Sequence, residues 1–162
     1  MKIIILIMTL VFSSLLVQAQ KVSNFKLEDT ESNQREYELL KGEKLTIIDF
    51  WATWCKPCVK AIPELVKIQE EYKNKGVRLI GISCDGPRSV SKVGPLTSTL
   101  KVNYPILIDF NNDLMRDYNI LSLPSLMIVN AENKIVYFHE GFNSGDEKEL
   151  RKKIEQFLQS NE

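Results

Sequence analysis

The chain has 162 residues, 44% of them hydrophobic, which is enough for one domain with its own core and calls for no disulfide staple. Its 21 basic residues balance 21 acidic ones, so neither nucleic acid nor an anionic membrane surface is indicated as a partner.

The chain opens with Lys2 and the apolar run Ile3 to Val17, broken by Thr9, Ser13 and Ser14 and followed by Gln18-Ala19. This reads as a cleavable secretory signal peptide with the small Ala19 before the cleavage point. An uncleaved anchor is the alternative, but about fifteen residues fall short of the roughly 20 that a spanning helix needs. No cysteine follows the run, so a lipid-anchored start is not expected. Residues 1–19 are expected to be removed and residues 20–162 to form the domain, with 20 basic against 21 acidic residues once Lys2 is lost. Its expected location is the periplasm or the outer surface.

Between Lys21 and Lys44, sparse alternation at Val22, Phe25 and Leu27 and at Tyr37 and Leu39 surrounds a turn-like Asp29-Thr30-Glu31-Ser32-Asn33, which predicts a hairpin. Leu45 to Phe50 reads as a buried strand. Val59, Ile62, Leu65, Val66 and Ile68 then recur at helical spacing, so a helix is expected from about Cys55 to Asn74, kinked at Pro63 and stopped at Gly76. Val77 to Ser83 is a second buried run that ends in the turn Cys84-Asp85-Gly86-Pro87. A long helix between two such strands implies a parallel crossover and an α/β fold.

Further along come a weakly helical segment, Ser89 to Lys101, interrupted by Gly94-Pro95, and a short strand, Pro105 to Asp109. Asn111 is expected to cap a short helix reaching about Tyr118. Ser125 to Val129 and Lys134 to His139, joined by Asn130-Ala131-Glu132-Asn133, should form an antiparallel hairpin, broken by Gly141. Asp146 to Gln159 places Leu150, Ile154, Phe157 and Leu158 on one face of a final helix that packs on the sheet.

The chemistry concentrates in Trp54-Cys55-Lys56-Pro57-Cys58, where a strand gives way to a helix. A thiolate attacks disulfides, and a helix N-terminus stabilises negative charge, so Cys55 is the candidate nucleophile. Cys58 lies one helical turn on, within reach of a disulfide, and is the candidate resolving thiol. Closing so short a loop constrains the unfolded chain by only about 2 kcal/mol, so a stabilising staple would be placed differently. Lys56 and Pro57 adjust the pair, one by its charge and the other by rigidifying the first turn. A half-site for a metal and a chance pair of buried cysteines are the other readings, but the chain has one histidine and one further cysteine to complete a zinc site. No cofactor is implied.

Asp49 is a carboxylate within an apolar strand, where burial raises a pKa toward neutrality and makes the group a proton acceptor for Cys58. Strand alternation puts it on the face of Ile47, with Ile48 and Phe50 opposite. Trp51 reads as core, whereas Trp54 either packs or offers apolar surface to a polypeptide. Pro124 stands at the start of a strand, where its missing N–H costs no ladder bond. Cys84 ends a parallel strand at the edge where ligands gather, but a buried, inert thiol is the better reading. His139, with no local ligand partner, reads as structural.

The string Phe50-Trp51-Ala52-Thr53-Trp54-Cys55-Lys56-Pro57-Cys58, with Pro63 and the distant Leu123-Pro124-Ser125, resembles the thioredoxin superfamily, and more closely the secreted thiol-disulfide oxidoreductases of the TlpA and ResA type. The resemblance covers about Phe25 to Leu158. It implies a thioredoxin-like three-layer fold: a mixed central sheet with an N-terminal hairpin extension and flanking helices. It also implies a redox-active Cys55–Cys58 disulfide and a cis peptide at Pro124, facing the dithiol and pairing through the backbone before it with extended substrate segments. Trp54, Lys56, Pro57, Leu123 and Pro124 would then form the substrate surface. The implied partners are protein disulfides and dithiols, with a membrane thiol carrier as electron donor; a monomer and net reduction are expected. Asp49 matches the buried acid of thioredoxins.

Two positions depart from the family. ResA-type proteins carry a glutamate, linked to handling cytochrome c apoproteins, where Ala61 stands, which argues against that substrate. The lysine that accompanies the buried acid in thioredoxins aligns approximately with Gly81. A copper or other metal carrier using the two cysteines, and a thiol peroxidase using Cys55 with Cys58 or Cys84, are the rival functions. The Pro-x-x-x-Thr-x-x-Cys pattern of peroxiredoxins is absent around Cys55.

Overall fold

The computed structural model describes residues 20–160, so the signal peptide read over residues 1–19 lies outside the described residues. Seven strands form one mixed sheet. The hairpin predicted near the N-terminus is present as β1 (Lys26–Asp29) and β2 (Gln34–Glu36), with the Asp29 carboxylate closing the turn by accepting from the backbone of Glu31 and Asn33. Tyr37 and Leu39 are not part of it. They lie in a single helical turn, α1 (Tyr37–Leu40), in which Tyr37 is buried and Leu39 points to solvent. Two apolar residues two apart fit a strand or the edge of a helical turn equally well, which is how the spacing misleads there.

Strand β3 (Leu45–Trp51) is wholly buried, because it lies at the sheet's centre with helices over both faces. It runs parallel to β4 (Val77–Ser83) through the crossover helix α2 (Lys56–Tyr72), as expected. Pro63 is exposed within α2, which continues through it as one helix. A 3-10 turn follows, and Gly76, at φ 79°, supplies the left-handed stop.

The segment after β4 differs from expectation. Gly94 and Pro95 do not interrupt a helix; they lie in the first turn of α3 (Val93–Thr99), where the missing proline N–H would have had no intrahelical partner. Strand β5 (Ile106–Ile108) adds parallel to β4 and antiparallel to β1. The short helix α4 (Asp113–Asp117) is held by Asp109, whose carboxylate accepts from the N–H groups of Leu114 and Met115 at 3.2 and 2.8 Å. The buried Asp109, not Asn111, thus does the capping.

On the other side of β3, β6 (Ser125–Asn130) and β7 (Ile135–Glu140) complete the order β2-β1-β5-β4-β3-β6-β7 as an antiparallel hairpin. The last helix, α5 (Asp146–Ser160), buries Leu150, Ile154 and Leu158. Alternation along β3 divides the core. Ile47 and Trp51 pack with residues of α2, α3 and α5, while Ile48 and Phe50 pack with Tyr37 of α1 and Leu114 of α4. The result is three layers, with the carboxyl ends of β3, β4 and β5 gathered at one edge.

Candidate active site

The site grows from the end of β3. After Trp51 the chain turns through Ala52, Thr53 and Trp54 and enters α2 at Cys55, the residue that caps it. The turn is tied locally by Cys55 N–H donating to the Ala52 carbonyl at 3.1 Å. Lys56 and Pro57 form the first turn of the helix and are exposed. Cys55 and Cys58 are joined as a disulfide, their Cα atoms 5.3 Å apart, and the Cys58 N–H donates to Cys55 Sγ at 3.3 Å. When the disulfide is open, that N–H and the helix dipole bear on a charge at Cys55 Sγ.

The two cysteines are both buried but not equally so. Cys55 retains 5% exposure and Cys58 only 1%, so an incoming disulfide meets Cys55 first. Beside them Trp54 is 64% exposed, an indole presented to solvent at the rim, while Trp51 is fully buried. Such a ring adds apolar contact area beside the nucleophile without holding the core together.

Asp49 lies two residues before Trp51 on β3 and is 3% exposed. It faces α2 and α5 through Ala61, Leu65 and Leu150, and burial alone pushes its carboxyl up to about 7. No positive charge from β4 offsets this. Gly81 stands opposite Asp49 in the parallel ladder, and a Cβ there would come within 2.6 Å of Ile106 Cδ1 and 3.2 Å of Trp51 Nε1. The lattice of side chains leaves no room for a lysine at this position.

Register places Pro124 at the same edge. Asp49 pairs with Leu126 and Phe50 with Ser125, so Pro124 lies level with Trp51, where β3 turns toward Cys55. The Leu123–Pro124 peptide is cis, and the Pro124 carbonyl accepts from Gly141 N–H at 2.8 Å. Leu123 is half-buried between the two cores. Asp49 of β3 and Pro124 before β6 thus line one cavity with Ala61 of α2, which stands three residues beyond Cys58.

Cys84 is the third cysteine, buried and unbridged. Burial pushes its thiol well above the usual range, and the carboxylates of Asp109, Asp49 and Asp85 add to this. Its nearest sulfur hydrogen bond is to its own strand, at the Ile82 carbonyl. Among the described residues no three His, Cys, Asp or Glu side chains come together as a metal site.

Asp85 was not singled out by sequence reasoning. Fully buried, it accepts from Thr53 N–H at 2.8 Å, from Thr53 Oγ1 at 2.6 Å and from Ser83 Oγ at 2.9 Å. It binds the turn that carries Cys55 to the end of β4. Like Cys84 beside it, Asp85 follows the carboxyl end of a parallel strand, the one sequence signal that points to it.

Residues 19–138 match the AhpC/TSA family. The chain is 32% identical to the thiol-disulfide oxidoreductase ResA of Bacillus subtilis (strain 168) over 113 residues, covering 70% of this chain and 62% of that protein. It is also 32% identical to the thiol-disulfide oxidoreductase ResA of Halalkalibacterium halodurans, covering 79% of this chain and 71% of that one. Among solved structures, a putative thiol:disulfide interchange protein DsbE from Chlorobium tepidum superposes with a TM-score of 0.79 over 88% of this chain and 99% of its own. At 22% identity, that likeness speaks for the fold.

Proposed function

The chain belongs to the AhpC/TSA family and, within it, to the ResA-like thiol-disulfide oxidoreductases, and from this premise we propose that its Cys55–Cys58 pair exchanges disulfides with exported polypeptides, as a reductase. The observation that carries the proposal is the asymmetric dithiol: a Cys55 that caps the helix and is the more exposed of the two, a covered Cys58, and a buried acid on the neighbouring strand. A structural staple needs none of this asymmetry.

In the reduced protein the Cys55 thiolate attacks one sulfur of a substrate disulfide, and the other substrate sulfur leaves as a thiolate. Asp49, its carboxyl raised by burial, takes the proton of Cys58 through water. The Cys58 thiolate then attacks Cys55 Sγ, the Cys55–Cys58 bond forms, and the second substrate sulfur leaves with two electrons. Trp54, Lys56, Pro57, Leu123 and Pro124 make the surface on which the substrate chain lies. The protein acts as a monomer in the periplasm or outside the cell, and a membrane thiol carrier returns it to the dithiol state.

Ala61 stands where relatives of the ResA type carry a glutamate, which supports a substrate range other than cytochrome c apoproteins. Substrates are found by expressing Cys58→Ser in the parent cell, where closure is blocked and mixed disulfides on Cys55 accumulate. Mass spectrometry of those adducts should return exported cysteine-containing proteins. Recovery of no Cys55-linked protein from cells under oxidising growth would contradict the proposal.

A further inference from the structure

The mechanism leaves Asp49 protonated where it is only 3% exposed, and the proton must have a way out. Next to Asp49 lies a cavity of about 20 Å³, lined by Ala61, Pro124, Leu126, His139 and Asp146 as well as Asp49 itself. That is room for a single water molecule, whose polar partners would be Asp49, His139 and Asp146 in a lining otherwise dominated by apolar side chains such as Leu65, Phe142 and Leu150. It exists in part because Ala61 of α2 is small.

Register explains how His139 comes to face this space. Asp49 pairs with Leu126 and Leu126 with His139, so the three form one row across β3, β6 and β7 with their side chains on one face of the sheet. His139 is half-exposed and its Nε2 lies 3.2 Å from Asp146 Oδ2, while Asp146 also accepts from Asn143 N–H at 2.7 Å. The cavity thus runs from a buried carboxyl to an imidazole that reaches solvent. The other titratable groups facing it are few. Among the lining residues, α2 presents only Ala61 and Leu65, β6 only Leu126, α5 presents Asp146, and β7 adds Tyr137. Lys153 lies over the outer Tyr137 ring, 5.6 Å from its centroid.

We infer that His139, held by Asp146, is the proton outlet of the dithiol site: the proton that Asp49 takes from Cys58 crosses the one-water cavity to the imidazole and passes to solvent. The inference rests on the disulfide-exchange reading above. The Cys58 S–H bond breaks with its electron pair left on sulfur, and that pair forms the Cys55–Cys58 bond as the bond between Cys55 and substrate breaks. The proton travels separately, from Cys58 to Asp49 to His139. Re-reduction runs the same path inward. An imidazole suits this task because one ring nitrogen can accept a proton while the other releases one. His139 touches neither sulfur and acts only through Asp49, as a positioning residue for proton flow.

The test is single-turnover disulfide closure, with reduced protein mixed with an oxidised peptide disulfide and followed by tryptophan fluorescence from pH 5 to 9. His139→Gln keeps a hydrogen-bonding partner for Asp146 but does not titrate. His139→Ala opens a place for added imidazole. The account expects closure about tenfold slower at pH 7 in both variants, less than the 10²–10⁴ typical of a group at the reacting atoms, because Asp49 still takes the proton. Imidazole should restore His139→Ala with a rate that rises with the fraction of buffer base, and leave the wild type unchanged. His139→Gln with the wild-type rate and pH profile would overturn the inference, as would slow variants that imidazole does not restore, since both point to a cap for α5. A wild-type protein that does not close at all would overturn the disulfide-exchange reading as well.

Discussion

Thr53 is bound to Asp85 twice, by its backbone N–H and by its hydroxyl, and both bonds end on one fully buried carboxylate. The turn bearing the nucleophile is thereby fixed to the strand beside it, two residues before Cys55. Asp85→Ala removes three accepted hydrogen bonds and leaves the Thr53 N–H and Ser83 hydroxyl without their partner. A loss of about 2–4 kcal/mol is expected, given 1–3 kcal/mol per stranded buried group, read as a lower urea midpoint. Disulfide reductase activity should fall with it. An unchanged midpoint would show that the turn is held by something else.

Asp49 should make stability depend on pH. Its folded value, raised to about 7 from an ordinary 3.8, means the native state holds a proton that the unfolded chain has lost. The contribution is therefore fully present below about pH 4 and is lost as pH rises through 7. Asparagine does not titrate, so Asp49→Asn should gain on the wild type across this window, by up to about 4 kcal/mol at pH 8, the energy that corresponds to a rise from 3.8 to about 7. Urea unfolding of both oxidised proteins at pH 5 and pH 8 measures this; a difference that does not change with pH contradicts a buried carboxyl of raised affinity.

Gly81 is small because its neighbours fill the space a side chain would need. In Gly81→Ala the new Cβ would meet Ile106 Cδ1, Trp51 Nε1 and a Tyr104 ring carbon. Overpacking of this kind costs about 1–3 kcal/mol. Thermal denaturation of the variant should show the loss, and a wild-type midpoint would mean that the strands β4 and β5 yield more easily than their packing suggests.

Cys84 should be a bystander. Its thiol is buried, unbridged and held neutral by burial and nearby carboxylates. After mild reduction, iodoacetamide on the native protein is expected to label Cys55 first and to leave Cys84 unmodified until urea is added. Cys84→Ala should turn over disulfides at the wild-type rate. Rapid native labelling of Cys84 would reopen a role for it, including that of a partner to Cys55 in peroxide chemistry.

Much of this was readable in the sequence because the signals were local. Leu45 to Phe50 and Val77 to Ser83 are continuous apolar runs, which central parallel strands require, and the structure extends the first by only Trp51. The dithiol's position at a helix start followed from what surrounds it. What was not readable depended on register between distant strands. Nothing near His139 hints that it shares a cavity with Asp49, 90 positions away, because only the pairing of β3 with β6 and of β6 with β7 brings them into one row. The roles of Asp85 and Asp109 are not legible in the sequence for a related reason: a turn aspartate looks alike whether it faces water or holds another segment, and burial decides which. The helical turn at Tyr37 is not legible either, because two apolar residues cannot define a period.

The most direct measurement is the reduction of insulin disulfides by Cys55→Ser beside the wild type, with a chemical reductant recycling both. The account predicts turbidity from precipitating insulin chains in the wild type, and in the variant a rate no higher than the reductant alone. Reduction by Cys55→Ser at the wild-type rate would contradict the central claim that Cys55 is the attacking sulfur.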